Sequence, residues 1–514
     1  ILPWLLAIAA FVVYAVTLNR WISFASLSSV TKFSGWWLPE VTSPLLFLVT
    51  YPFHWLSPAQ IPVALNLFSA ICGALSLGLL ARSVAILPQD RTEAQRKREH
   101  SDFSFLTIWS AWLPPLFAVI VCGLQLTFWE QATNYTGETF DLLIFAFLIW
   151  SLLEFRLDER EGRLFFAALI YGASMAENWA MVGFFPVFLA AIIWIRGLDF
   201  FNWPFLKRMI LCGLVGMLFY FLLPIIAVTS SDVPLTFWQT LKFNLLPQYT
   251  VLKSYFGFIL HPKQNAEFLA LILTYLLPLF VMALRWKPSF GDSSKLGSAL
   301  TSIMFHLAHA AFLVLLVWAV FDPEKFGPRH MAGGFPLLTF YFIGALSIGY
   351  YVGYFLLIFG EKEEAKRPVK ISPLLVFLNP LVVVAVWLFV IIIATGLIYR
   401  NAPQIKTTNG DTLWRYAAML KDKLPQAGGY LLSDDSQRLA LVEAALERDG
   451  RGKIFVPLDT QSLSVPAYHR FLHKKFPKMW PEIVSATQTN TLNPLGLMQV
   501  LMILSRTNDI YYLH

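Results

Sequence analysis

Charge is scarce in this chain. Asp, Glu, Lys and Arg make up only 14% of its 514 residues, against roughly 25% in soluble proteins, and that excludes an ordinary soluble enzyme. Cysteine is scarcer still. Cys72, Cys122 and Cys212 all sit inside apolar runs, so neither a disulfide framework nor a zinc spacing is available. Nucleotide motifs are missing too: there is no Gly-rich loop ending in Lys-Ser/Thr, no dinucleotide fingerprint and no Gly-x-Ser-x-Gly elbow. The formal net charge of +7 does not point to nucleic acid, because the basic residues fall in short loops instead of along one face. The chain starts at Ile1 without an initiator Met and stops at His514 just after a strand-like run, so further sequence is expected at either end.

What is present is apolar length. Hydrophobic residues make up 57% of the chain, and runs near 3–18, 61–81, 107–127, 139–153, 164–177, 179–195, 209–229, 266–286, 301–321, 335–359 and 373–399 read as spans. About 20 apolar residues cross a bilayer as a helix, since lipid cannot satisfy loose backbone. The fold class expected is a polytopic α-helical membrane protein of about 11 transmembrane helices, residues 1–400, followed by a soluble α/β domain, residues 401–514.

Loop charge orients it. One alternating set of loops carries 18 Lys and Arg residues, including Arg82, Arg156, Arg196 and Lys366, and the other carries 7, including Arg20, Lys242 and Arg329. The positive-inside rule puts the first set, and the N-terminus, in the cytoplasm. An odd number of spans then makes the C-terminal domain extracytoplasmic. The short apolar stretch 44–56 is not counted as a span.

Candidate chemistry collects on the outside face. Its acids are Glu40 in the first loop, Glu130, Glu138 and Asp141 in the second, Glu177 beside Asn178 in the third, Asp232 in the fourth, and Asp322 with Glu324 in the fifth. Glu138 and Asp141 are three apart at a helix start, so they share a face; the helix dipole alone also favours acids there. A carboxylate a turn inside the membrane, as Asp141 would be, is costly and marks function. Glu177 reads equally as a turn in the headgroup zone. Arg329 could grip a phosphate through its planar fork with His330 beside it, or snorkel to lipid headgroups. His306 and His309, inside one span, have no third ligand and read as packing partners. Carboxylates alone leave a divalent cation open, and no metal site is assigned.

The segment beginning Pro44-Leu45-Leu46 and continuing through Leu65-Asn66-Leu67-Phe68-Ser69-Ala70 resembles a bacterial membrane family of unassigned function. That family includes the animal O-mannosyltransferase of plexin-type receptor domains and has the GT-C glycosyltransferase architecture. Phe128-Trp129-Glu130-Gln131-Ala132 with Glu138 resembles its second outside loop, and Tyr171–Pro186 its next hairpin. The resemblance spans roughly 1–230. It implies a bacterial inner-membrane enzyme that moves a sugar, with inversion, from a polyprenyl-phosphate donor to a protein or glycan acceptor. A first-loop acid would be base, and outside-loop Arg and His would hold the donor phosphate. The chain departs from the pattern where the family has Asp-Ser-Gly-Glu. Phe24-Ala25-Ser26-Leu27 stands there, and Asn178 replaces a hairpin His. Either Glu40 or the Glu138/Asp141 pair takes over, or the chain is an inactive membrane scaffold or subunit of a larger complex. A transporter fits less well, since no internal repeat relates the halves.

After Arg400, helices at 411–424, 436–448, 465–476 and 494–505 alternate with strands at 429–434, 453–459 and 509–513. Apolar strands between helices predict a small parallel sheet. Asp434, Asp435 and Asp459 fall at strand ends, where ligands bind in such sheets and where loop capping also places acids.

Overall fold

The computed structural model describes residues 1–36, 43–88, 108–229, 236–260, 266–283, 295–324, 327–331, 336–360, 373–482, 491–506 and 508–513. The first half runs α1 (Leu2–Val16), α2 (Phe24–Phe33), α3 (Pro44–Thr50), α4 (Ile61–Ile86), α5 (Leu113–Gly123), α6 (Leu126–Thr133), α7 (Glu138–Asp158), α8 (Glu161–Glu177), α9 (Phe185–Arg196) and α10 (Trp203–Met217). Then come α11 (Leu222–Thr229), α12 (Phe237–Leu260), α13 (Ala266–Ala283), α14 (Lys295–Val320), α15 (Pro328–Met331), α16 (Leu338–Gly360) and α17 (Pro373–Thr408). The C-terminal segment holds α18 (Thr412–Asp422), β1 (Gly429–Ser433), α19 (Ser436–Arg448), β2 (Phe455–Asp459), α20 (Pro466–Lys475), α21 (Pro494–Ser505) and β3 (Ile510–Tyr512).

Among the described residues six helices are long and apolar enough to cross a membrane, or seven if one bent pair counts as a single span. This is a helical membrane protein, and among the described residues fewer helices meet that length and composition than the eleven apolar runs suggest. Part of the reason is charge, since α7 is an unbroken helix of 21 residues whose Asp141, Glu154 and Arg156 interrupt its apolar run, and part is geometric. The run at 3–18 makes a 15-residue helix, roughly 22 Å at 1.5 Å per residue. The run at 107–127 breaks into α5 and α6, bent by 73°. Counting apolar residues detects composition, whereas spanning needs an unbroken helix of about 20 residues.

Small residues set how closely these helices approach. The buried stripe of α1, Ala7, Ala10 and Tyr14, faces α4, where a side-chain carbon at Gly78 would lie 3.1 Å from Ala7 Cβ. Between α8 and α10 the backbones touch: a Cβ at Gly172 would stand 2.1 Å from the Gly213 carbonyl, and one at Gly216 2.0 Å from the Leu169 carbonyl. Lipid tails are as apolar as a leucine face, so such backbone contact is what holds membrane helices together. The central element is α16, whose apolar window is 89% buried, whereas the windows of Trp203–Ile226 and Pro380–Asp422 are 22% and 17% buried and turn bare apolar surface outward.

The sheet is parallel with order β2-β1-β3. Helix α17 runs unbroken past Arg400 to Thr408, so the change in composition at residue 400 falls inside a helix. The C-terminal segment sits against the first loop. Trp21, Leu27 and Trp36 share a buried apolar cluster with Ala440, Leu441 and Ala444 of α19. The Lys475 ammonium bridges the buried Glu443 carboxylate (2.6 Å) and the Trp36 carbonyl (3.1 Å).

Candidate functional site

Polar groups gather where the broken helix, the first loop and the end of α17 meet. The α5/α6 break frees backbone groups that lipid would not satisfy. Side chains take them up: Asn401 donates to the Leu124 carbonyl (2.7 Å), and the Gln125 side chain accepts from Phe128 N–H (2.7 Å). Asn66, fully buried, donates to the carbonyls of Asn19 (2.8 Å) and Trp21 (3.0 Å) and accepts from Tyr135 N–H (2.8 Å). Asn409 donates to the Thr17 carbonyl (2.7 Å) and Thr133 Oγ1 (2.8 Å) and accepts from Asn134 Nδ2 (3.0 Å). Four asparagines therefore tie loops far apart in sequence into one platform.

On this platform the predicted acids form two groups. In the first, Glu138 and Asp141 lie in the opening turn of α7, which begins after Gly137 at φ +92°. Asn178 Nδ2 donates to Asp141 Oδ2 (2.6 Å) while its Oδ1 accepts from Ala180 N–H (2.9 Å), so the amide is fixed and aims its donor at the acid. Glu177 is 5% exposed. Its carboxylate accepts the N–H groups of Leu45 (2.6 Å) and Leu46 (3.2 Å). Those are orphan donors in the first turn of α3, so Glu177 anchors the first-loop helix. Asp141 lies close enough to interact electrostatically with both Glu138 and Glu177. The structure thus brings together Glu138, Asp141, Glu177 and Asn178.

In the second group, Arg329 on the short helix α15 pairs with Glu130 of α6 at 3.0 Å. Behind it Asp322, 8% exposed, accepts from Gln125 Nε2 (2.7 Å), Thr127 Oγ1 (3.1 Å) and the Tyr341 hydroxyl. Gly327 permits this, because a Cβ there would meet Asp322 Oδ1 at 2.4 Å. His330 is exposed beside Arg329. Asp322 is legible in the sequence as an outside-loop acid, but its pairing with Gln125, Thr127 and Tyr341 is not. A Gln at a helix break within an apolar run was the available signal.

Glu40 and Asp232 lie outside the described residues. Phe24-Ala25-Ser26-Leu27, aligned with the family's acidic motif, opens α2. Ser23 and Ser26 cap one another there, with Ser26 Oγ accepting from Ser23 N–H at 3.0 Å and Ser23 Oγ accepting from Ser26 N–H at 3.2 Å. Ser26 and Leu27 are buried there, whereas Phe24, at the place of the motif's first acid, is 63% exposed. His306 donates or accepts at Tyr354 (2.8 Å), and His309 stacks on the same ring at 4.3 Å. Among the described residues no three His, Cys, Asp or Glu side chains are grouped to hold a metal ion.

The fold and this site define a helical membrane protein with clustered carboxylates, anchored loops and an arginine at one end of its bundle. Residues 42–198 match the family model described as protein O-mannosyl-transferase TMEM260 N-terminal domain. This match supports a relation to that O-mannosyltransferase family over the stretch from α3 to α9. It takes in Glu130, Glu138, Asp141, Glu177 and Asn178, and it leaves out Arg329, His330 and the C-terminal segment. No curated protein matches the chain.

Proposed function

We propose that this chain is a GT-C-like glycosyltransferase that moves a sugar from a polyprenyl-phosphate donor to a protein or glycan acceptor on the extracytoplasmic side of a bacterial inner membrane. The observation that carries this reading is the Glu138–Asp141–Glu177 cluster, oriented by Asn178 and lying within the stretch similar to an O-mannosyltransferase domain. A carboxylate so placed can take the proton of an acceptor hydroxyl as the sugar carbon becomes cationic. Asp141 is the preferred base because its carboxylate is held by Asn178, and Glu177 positions the first loop above it. Arg329, 39% exposed, can turn one edge of its guanidinium to a donor phosphate while the other stays on Glu130. His330 adds a second donor there. The orienting asparagines, the first loop and the docked C-terminal segment would hold the acceptor.

The test is transfer of a sugar from a polyprenyl-phosphate donor by the purified full chain in lipid. Asp141→Asn is expected to lose at least about 100-fold in rate, the scale of general-base catalysis, and Arg329→Ala to weaken donor use. Unchanged rates in both Asp141→Asn and Glu138→Gln would sink the assignment. A second reading, an inactive relative serving as a subunit of a larger complex, is favoured by Phe24 and Leu27, apolar side chains where the family's motif has its two acids. No donor turnover, together with a stoichiometric complex insensitive to the acid substitutions, would select it.

A further inference from the structure

At the other end of α7 lies a cavity of about 980 Å³. Phe155 is fourteen residues beyond Asp141, roughly 21 Å along the helix axis, so the cavity is separate from the acid cluster. Its walls are apolar: Leu152 and Phe155 of α7, Ala191 and Ile195 of α9, Leu276 of α13 and Leu346 of α16. It follows one face of α9 from Pro186 to Arg196, roughly 15 Å of helix. The charged lining is confined to one end, where the α7–α8 corner supplies Arg156, Glu159 and Glu161, the end of α9 supplies Arg196 and the 3-10 turn after it supplies Asp199. Arg196 and Glu161 are joined there at 2.7 Å.

An apolar slot gives water no partners and stays dry or fills with hydrocarbon. Bare side chains beside it, such as Trp194 at 61% exposed and Phe280 at 57%, put it within reach of lipid. The charged end decides which lipid. A purely anionic headgroup attracted by the arginines would also face three carboxylates. A headgroup carrying both a phosphate and a primary ammonium meets both signs, and three N–H donors can bond carboxylates where a quaternary ammonium has none.

We infer that this cavity is a site for an ethanolamine glycerophospholipid, its acyl chains between α7, α9, α13 and α16 and its headgroup among Arg156, Glu159, Glu161, Arg196 and Asp199. The inference is independent of the transfer chemistry proposed above.

Native mass spectrometry of the full chain, released from bilayers holding equal phosphatidylethanolamine, phosphatidylcholine and phosphatidylglycerol, reads the site directly. The expected result is one retained phosphatidylethanolamine, favoured by about tenfold over either competitor, which corresponds to 1.4 kcal/mol. Ala191→Trp fills the slot and is expected to remove it. Glu159→Gln with Asp199→Asn, both on exposed positions, is expected to keep one lipid but erase the preference, and it decides the matter if the tryptophan variant does not fold. Preferential or equal retention of phosphatidylglycerol, no retained lipid, or a preference that survives the double substitution would each overturn the assignment.

Discussion

Glu177 offers the sharpest test of how the site is assembled. Its buried carboxylate accepts two N–H groups in the first turn of α3, a helix of seven residues that is far too short to be stable alone. A buried hydrogen bond is worth about 0.5–1.5 kcal/mol net, and an orphaned buried donor costs about 1–3 kcal/mol. The 2.6 Å bond should carry more than the 3.2 Å bond, so about 2–4 kcal/mol of local stability is at stake in Glu177→Ala. If α3 opens by local unfolding, amide exchange in a peptide covering 45–50 should accelerate by about 30- to 1,000-fold, given tenfold per 1.4 kcal/mol. Glu177→Gln retains one accepting oxygen and should give an intermediate rate. Exchange would be followed in lipid, with a peptide from the buried α16 as internal reference. If 45–50 exchanges no faster in Glu177→Ala while α16 stays protected, Glu177 does not anchor the first loop and its proposed positioning role is wrong.

Three other perturbations probe separate parts of the molecule. Gly172→Leu should push α8 off α10, since even a Cβ would lie 2.1 Å from the Gly213 carbonyl; overpacking of this kind costs about 1–3 kcal/mol or more, and an unchanged melting temperature would refute the close approach. Asp322→Asn turns one accepting oxygen into an N–H₂ that faces either Tyr341 or the Gln125 and Thr127 donors and should destabilise more than Tyr341→Phe, which removes one bond worth about 1 kcal/mol; equal shifts in melting temperature would contradict the hub. Burial pushes the Glu443 carboxyl up to about 7, an effect Lys475 only partly offsets. The folded state then binds more protons than the unfolded one between pH about 4.5 and about 7, so this group's contribution to stability falls as pH rises through that window. Glu443→Gln should flatten that decline by about 3 kcal/mol, and an identical pH profile of melting in the variant would exclude it.

Local patterns were legible in the sequence, and long-range pairings were not. The strands at Gly429–Ser433 and Phe455–Asp459 were readable because both are wholly buried, as parallel strands covered on both faces are. Glu138 and Asp141 were readable as neighbours because a spacing of three on a helix fixes their face. Glu177, by contrast, meets donors 132 and 131 residues earlier in the chain, and Arg329 meets Glu130 from 199 residues away. Hydropathy carries no information about such partners. It also misplaces the end of α17: composition changes at residue 400, but Arg400 through Thr408 keep helical geometry, although Pro403 has no N–H to give to the i→i−4 ladder. The one proline in that stretch, Pro403, sits inside the helix and does not end it.

That continuity matters to anyone who would divide the molecule for study. Composition invites a cut after Arg400. Such a cut would discard Asn401 and Asn409, and with them the cover over the Leu124, Thr17 and Thr133 oxygens. It would also bare Trp21 and Trp36, which the alanines of α19 now shelter. A fragment ending there would inherit a bundle whose outer rim no longer closes. The bundle and its docked tail share these contacts, and an insertion at 400 should be judged as an insertion into a helix, with the register of everything beyond it rotated by about 100° per added residue.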